Sequence, residues 1–216
     1  MRRELWHPFR SARPAPKKEK PRPPQDRVIL GDVRDPPSLD SEFPSEWEDQ
    51  SALDALATEF VTATAEDCSN PAYETVSRLL QRVRERAGMD VVFIAQFANG
   101  KRLIRHVAAD PRDRKTFAEG QADPLEATFC ERVLDGRLPE ALPDALQQPE
   151  SAHLPVTRQH DIRAHIAVPV ITRNGRVFGT LCAYSHQPRA QLEDPLAVLR
   201  CVADALARAL EQAEAA

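Results

Sequence analysis

The sequence predicts an α+β domain of three layers (α/β/α) around a central antiparallel sheet. Three observations predict it. Two pairs of apolar, β-branched runs are joined by Asn-Gly, at 99–100 and at 174–175. Asn-Gly favours the left-handed dihedrals of tight hairpins, so each pair should run antiparallel. Segments with helical apolar spacing precede the first hairpin and follow the second. Between the hairpins lie one helical segment and a proline-punctuated stretch, enough chain to cover a second sheet face. The N- and C-terminal helices are expected on one face, and the middle helix with the long loop on the other.

Before the domain come two polar segments. Residues 1–27 hold nine Arg/Lys against three Asp/Glu, and RSARPAPKKEKPRPP has almost nothing apolar to bury. This arm reads as disordered, extended and solvated, or as a segment that touches an anionic surface. Residues 28–49 form an acidic linker in which Phe43 and Trp47 are plausible anchors. The folded domain is expected over 50–216. The whole chain carries a net charge of −4, so residues 28–216 carry −10. An acidic body argues against nucleic acid as the partner, because phosphate binding needs clustered positive charge. No apolar run reaches the roughly 18 residues a membrane helix needs. MRRELWHPF lacks the apolar core of a secretion signal, so a cytoplasmic location is expected. Cys68, Cys130, Cys182 and Cys201 are scattered, without a Cys-x-x-Cys pair. They read as free thiols, most of them packed as small hydrophobes.

The elements follow in order. SALDALATEFVTATAE reads as a helix, with Leu53, Leu56, Ala57 and Phe60 on one stripe and Ser51 as N-cap. A second helix opens at Pro71, turns Val76, Leu79, Leu80 and Val83 inward and ends at Gly88. MDVVFIAQF and LIRHVAA make the first hairpin. DPLEATFCERVLDG reads as a helix between Pro124 and Gly136, which places Thr128, Phe129 and Cys130 mid-helix, facing the lid. Residues 137–163 carry four prolines and read as a crossing loop with short helical turns; a loop of this length is usually a lid or binding loop. IRAHIAVPVITRNGRVFGTLCAYS is the second hairpin. Pro169 inside its first arm suggests an edge or a bulge. QLEDPLAVLRCVADALARALEQ closes the chain, with Leu196, Leu199, Val202, Leu206 and Leu210 facing inward.

The paired N-terminal helices, VVFIAQF, TFCERVLDGRLPE, IAVPVITRNGRVFGTLCAYS and the last helix together resemble a GAF domain over residues 50–213. The Gly-Arg-Val-Phe-Gly-Thr-Leu run from Gly175 is the sharpest local match. The resemblance implies a stand-alone bacterial sensor or regulatory domain in signal transduction. It implies a small-molecule ligand, a regulated output protein and a homodimer through the terminal helices. The pocket would lie between one sheet face and the helix–lid layer, and binding would order the lid.

Period-two alternation puts Phe93 and Phe97 on one face of their strand, His165 and Ala167 on one face of theirs, and Cys182 with Tyr184 on another. If Phe97, His165 and Tyr184 look into the pocket, they form a partly aromatic cavity with polar tips; otherwise they are ordinary core. Arg158 in the lid offers charge-assisted hydrogen bonds to an anion, unless neighbouring carboxylates neutralise it. The ligand-binding candidates are therefore Phe93, Phe97, Phe129, Cys130, Arg158, His165 and Tyr184. Relatives that reduce free methionine sulfoxide use a cysteine near this helix and a second in the lid. Here Cys130 would be the attacking thiol, the lid has no cysteine, and Cys182 is the only distant alternative, so an enzyme is not expected. A ligand-free dimerisation scaffold is the remaining alternative. His153, His160 and His165 stand at spacings that fit no metal motif. The resemblance leaves the cofactor unknown. The Cys-His pair and Asp-Ile-Pro motif of bilin photosensors are absent, and haem is not expected.

Overall fold

The structure is a computed structural model that describes residues 71–114 and 116–215. The basic arm, the acidic linker and the helix expected over SALDALATEFVTATAE lie outside the described residues.

Helix α1 spans Pro71–Ala87. Proline opens it where its missing amide costs no hydrogen bond. Gly88 closes it at φ +61, and its amide donates to the Glu85 carbonyl at 3.1 Å. Val76, Leu79, Leu80 and Val83 are all buried, as their spacing requires. Strands β1 (Val91–Ala98) and β2 (Lys101–Ala109) form the first hairpin. Asn99 and Gly100 both take positive φ, 51° and 70°, as a tight hairpin turn demands.

The segment expected to be one helix after this hairpin divides. Residues Ala122–Pro124 form a short strand β3 on the edge of β2, Leu125–Ala127 make one 3-10 turn, and α2 covers only Phe129–Leu134. Thr128 is the N-cap of α2, so Phe129 and Cys130 sit in its first turn, not mid-helix. Pro124 ends a strand because the exposed backbone of β2 is available to pair with it; the helical pattern did not reveal that competitor. The crossing segment is ordered: β4 (Ala141–Leu142), a 3-10 turn at Ala145–Gln147, α3 (Pro149–Ala152) and α4 (Pro155–Gln159). Leu138, Leu142, Ala145, Leu154 and Ile162 anchor it in the core. Ser151 Oγ donates to the Ala145 carbonyl and Thr157 Oγ1 to the Ser151 carbonyl, each at 2.5 Å, which ties the turns together.

Strands β5 (Ala164–Ile171) and β6 (Val177–Ser185) form the second hairpin, and α5 (Glu193–Ala215) closes the described chain. The six strands lie in the order β3-β2-β1-β6-β5-β4, and every pair is antiparallel. β4 pairs only with His165 and Ile166 of β5. At Pro169, therefore, β5 is an edge, where a missing amide is tolerated.

The sheet separates two cores. Val92, Ile94, Ile166, Val168, Leu181 and Ala183 face α1 and α5. Phe93, Ala167, Cys182 and Tyr184 face α2 and the crossing segment, with Phe117, Leu142 and Leu154 packed against them. A bulge in β2 decides which of its residues enters which core. Ile94 pairs with His106 but Ala95 with Ile104, leaving Arg105 unpaired. Residues before the bulge, Arg102 and Ile104, face the crossing segment. His106 and Ala108 face the helices, and the His106 ring lies 5.2 Å from that of Tyr73 on α1.

Gly179, in the Val-Phe-Gly-Thr run, sits where strand β6 passes close to β1. A Cβ there would lie 1.9 Å from the Ala95 carbonyl oxygen of the neighbouring strand, so only glycine allows this approach.

Candidate functional site

The site lies on the sheet face covered by the crossing segment. The strand register sets its rows. Val91, Tyr184 and His165 form one row, Phe93, Cys182 and Ala167 the next, and Ala95, Thr180 and Pro169 the third. Most of the space above these rows is filled. Phe117 lies 5.4 Å from Phe93 and 5.2 Å from Tyr184, ring centre to ring centre. Phe129 stacks on His165 at 4.2 Å. The aromatic cavity expected from Phe97, His165 and Tyr184 is thus mostly packed core: Tyr184 and His165 are buried, and Phe97 only borders that core.

What remains open is a cleft of about 140 Å3 between the β2–β3 edge and α4. Arg102, Asp123, Thr128, Gln121, Gln159 and His160 supply its polar wall. A larger groove of about 270 Å3 lies outside, along α2 and α3. It is an open surface feature in which Arg132 and Glu150 face each other at 3.5 Å.

Arg102 is the centre of the cleft. It is only 4% exposed, yet its Nε has no hydrogen-bond partner. One Nη bonds Asp123 at 2.5 Å. The guanidinium carbon lies 5.4 Å from the Phe93 ring centre and 5.8 Å from that of Phe117, so cation–π contact helps hold its plane. Burial works against its charge, but Cys130 and Asp123 more than offset this and keep it cationic. That cation acts on its neighbours. Burial, then the charge of Arg102, lowers the pKa of His165 to about 3, so its ring is neutral. His165 Nδ1 has no hydrogen-bond partner. His160 is pushed down by the same two causes.

Beneath Arg102 lie two buried thiols. Cys130 Sγ and Cys182 Sγ are 3.6 Å apart. Thr180 Oγ1 stands 3.2 Å from each sulfur. Cys182, separated from Cys130 by 52 positions, is therefore its immediate neighbour and not a distant residue. The reason is topological: β6 runs through the centre of the sheet directly under the first turn of α2. The hydrogen bond from Cys182 draws the Cys130 pKa down against its burial, with help from Arg102. Burial and that same bond push the Cys182 pKa up. Cys130 is thus the more acidic of the two thiols.

Of the remaining candidates, Arg158 is exposed on α4 and is not part of the cleft wall. His153 is exposed and bonds the Pro149 carbonyl through Nδ1 at 2.6 Å. Among the described residues, no group of three or more His, Cys, Asp or Glu side chains could hold a metal ion. No described helix is long and apolar enough to cross a membrane. Sequence reasoning missed Arg102, Phe117, Asp123 and Thr180. The bulge that turns Arg102 inward has no sequence signal, and Phe117 sits in a turn-rich stretch without periodicity.

The GAF domain family profile matches residues 72–210. The chain belongs to the GAF domain family, whose members are small-molecule-binding regulatory and sensory domains. Solved structures carry the same fold at low identity. The phycocyanobilin-bound GAF domain of a cyanobacterial phytochrome is 16% identical, with a TM-score of 0.59 over 81% of this chain and 98% of that one. The GAF domain of an Acinetobacter phosphoenolpyruvate-protein phosphotransferase is 18% identical, with a TM-score of 0.56 over 80% of this chain and 97% of that one. A red/green cyanobacteriochrome in its red-light-absorbing state is 21% identical, with a TM-score of 0.54 over 66% of this chain and 96% of that one. No curated protein matches the chain. This cleft is small for a bilin. Pockets that enclose drug-sized ligands measure roughly 300–1,000 Å3, a tetrapyrrole needs at least as much, and the cleft offers about 140 Å3.

Proposed function

We propose that this domain senses a small carboxylate-sized anion, held in the cleft by Arg102. The observation that carries this reading is the unpartnered Nε of a guanidinium that is itself buried against the cleft. A buried donor without an acceptor costs free energy; Nε is shielded from solvent, so a carboxylate oxygen would satisfy it by entering past the cleft wall. The size fits: a cavity of about 150 Å3 accepts a benzene-sized guest. Phe93 and Phe117 orient the cation, and Thr128, Gln121 and Gln159 are placed to bond the far end of the guest. Phe129, Cys130, His165 and Tyr184 are buried in the core and do not line the cleft, Phe97 borders that core, and Arg158 has no part. Binding would fasten α4 to the β2–β3 edge. The guest favours the closed arrangement by its differential affinity, and this change is passed to a regulated partner. A homodimer through the terminal helices belongs to the same proposal.

The test is thermal unfolding of the full chain with formate, acetate, pyruvate or inorganic phosphate, paired with sedimentation velocity. A ligand at a hundred times its Kd adds about 2.7 kcal/mol of stability, several degrees in Tm. One of these anions should give that rise, Arg102→Gln should abolish it, and Arg102→Lys should weaken it. A shift retained in Arg102→Gln, or no shift with any anion, overturns the reading. A monomer at micromolar concentration overturns its dimer component.

A further inference from the structure

We propose that Cys130 and Cys182 are a peroxide-sensitive dithiol, which a hydroperoxide entering the cleft converts into a disulfide. Four observations support this. The sulfurs are 3.6 Å apart, so a bond of about 2.0 Å requires them to close by only about 1.5 Å. Their surroundings differ: the contact they share and the nearby guanidinium draw the Cys130 pKa down, while burial pushes that of Cys182 up. Thr180 Oγ1 contacts both sulfurs at 3.2 Å and can hand a proton between them. Arg102 and Thr128 line the cleft and stand close to Cys130, so a small oxidant reaches the buried sulfurs when this wall opens.

The chemistry balances. The Cys130 thiolate attacks one peroxide oxygen; the S–O bond forms, the O–O bond breaks, and the departing alkoxide or hydroxide takes a proton. Cys182 then attacks the sulfenic sulfur. The S–S bond forms, and the sulfenic oxygen leaves with two protons as water. Two thiols and one hydroperoxide give one disulfide, one alcohol or water, and one further water. A small dithiol reductant reverses the reaction by exchange. Cys182 is fixed in the middle of the sheet, paired with Phe93 and Ala167. The closing movement therefore falls on α2, a six-residue helix whose N-cap makes no side-chain cap bond.

Oxidation also changes the cleft. The disulfide removes the thiolate beneath Arg102, leaving Asp123 as its remaining anionic partner in the cleft, so an incoming anion meets less competition. This consequence rests on the anion-sensing reading; disulfide formation does not.

The experiment uses the full chain carrying Cys68→Ser and Cys201→Ser. Protein is treated with hydrogen peroxide, quenched with catalase, denatured and alkylated with N-ethylmaleimide before intact mass measurement. The expected result is loss of both alkylation sites with a mass decrease of two hydrogens, a crosslinked Cys130–Cys182 peptide, and reversal by dithiothreitol. In wild type the pair should oxidise about tenfold or more faster than Cys201, whose thiol burial pushes up. Cys182→Ser should leave a dimedone-reactive sulfenic acid on Cys130, and Cys130→Ser none on Cys182. Peptide mapping of wild type gives the same readout without any substitution. Two alkylated thiols surviving peroxide, or dimedone on Cys182 instead of Cys130, overturns the proposal. No anion is present in these measurements, so their failure is separate from failure of the binding titration.

Discussion

Lowering the pH from 7 to 5 should cost this domain about 2 kcal/mol through one side chain. His165 is buried on β5, stacked on Phe129, with Arg102 close enough to oppose its protonation. Its pKa falls from 6.5 to about 3. A depressed histidine contributes stability above its unfolded-state pKa and loses it as pH falls, because the unfolded chain then binds the proton more readily. The window therefore runs downward from about pH 6.5, at about 1.4 kcal/mol per unit. Integrating from pH 7 to 5 gives a loss of about 2 kcal/mol. His160 titrates in the same direction, so the comparison must be with a variant lacking His165 alone. Urea unfolding of wild type and His165→Leu at pH 7, 6 and 5 makes that comparison. The wild-type curve should fall more steeply by about 2 kcal/mol over the range. Parallel curves would show that His165 takes up a proton in the folded state, and would refute both its burial and the influence of Arg102.

Gly179→Ala forces a Cβ to 1.9 Å from the Ala95 carbonyl oxygen. Strands β1 and β6 must separate there, so destabilisation should exceed about 3 kcal/mol in urea melts. Ser151→Ala removes the bond that a fully buried hydroxyl makes to the Ala145 carbonyl at 2.5 Å. The expected cost is about 1–3 kcal/mol. Hydrogen exchange should quicken across residues 145–159 first and leave the amides of β1 and β6 protected.

The layers of this fold were legible because they rest on simple periodicities. Asn99-Gly100 announced its hairpin, and Val76, Leu79, Leu80 and Val83 their buried stripe. The chemistry of the cleft was harder to read for two physical reasons. First, facing along a strand follows period two only while pairing is regular. The unpaired Arg105 breaks that rule, so alternation could not tell that Arg102 and His106 enter different cores. Second, the proximity of Cys130 and Cys182 is a property of sheet order. Nothing in a separation of 52 positions says that a helix start and a central strand will touch. Cys130 and His165 were singled out from sequence, yet what matters about them, their shared exposure to the charge of one guanidinium, required the bulge to be known.

The irregular pairing of β2 has a design consequence. The strand answers to one set of neighbours before Arg105 and to another after it. Substitutions at Arg102 and Ile104 are felt on the cleft side of the sheet, while those at His106 and Ala108 are felt by the helices. The cleft wall can therefore be varied at Arg102 while His106 and Ala108 keep their packing against the helices.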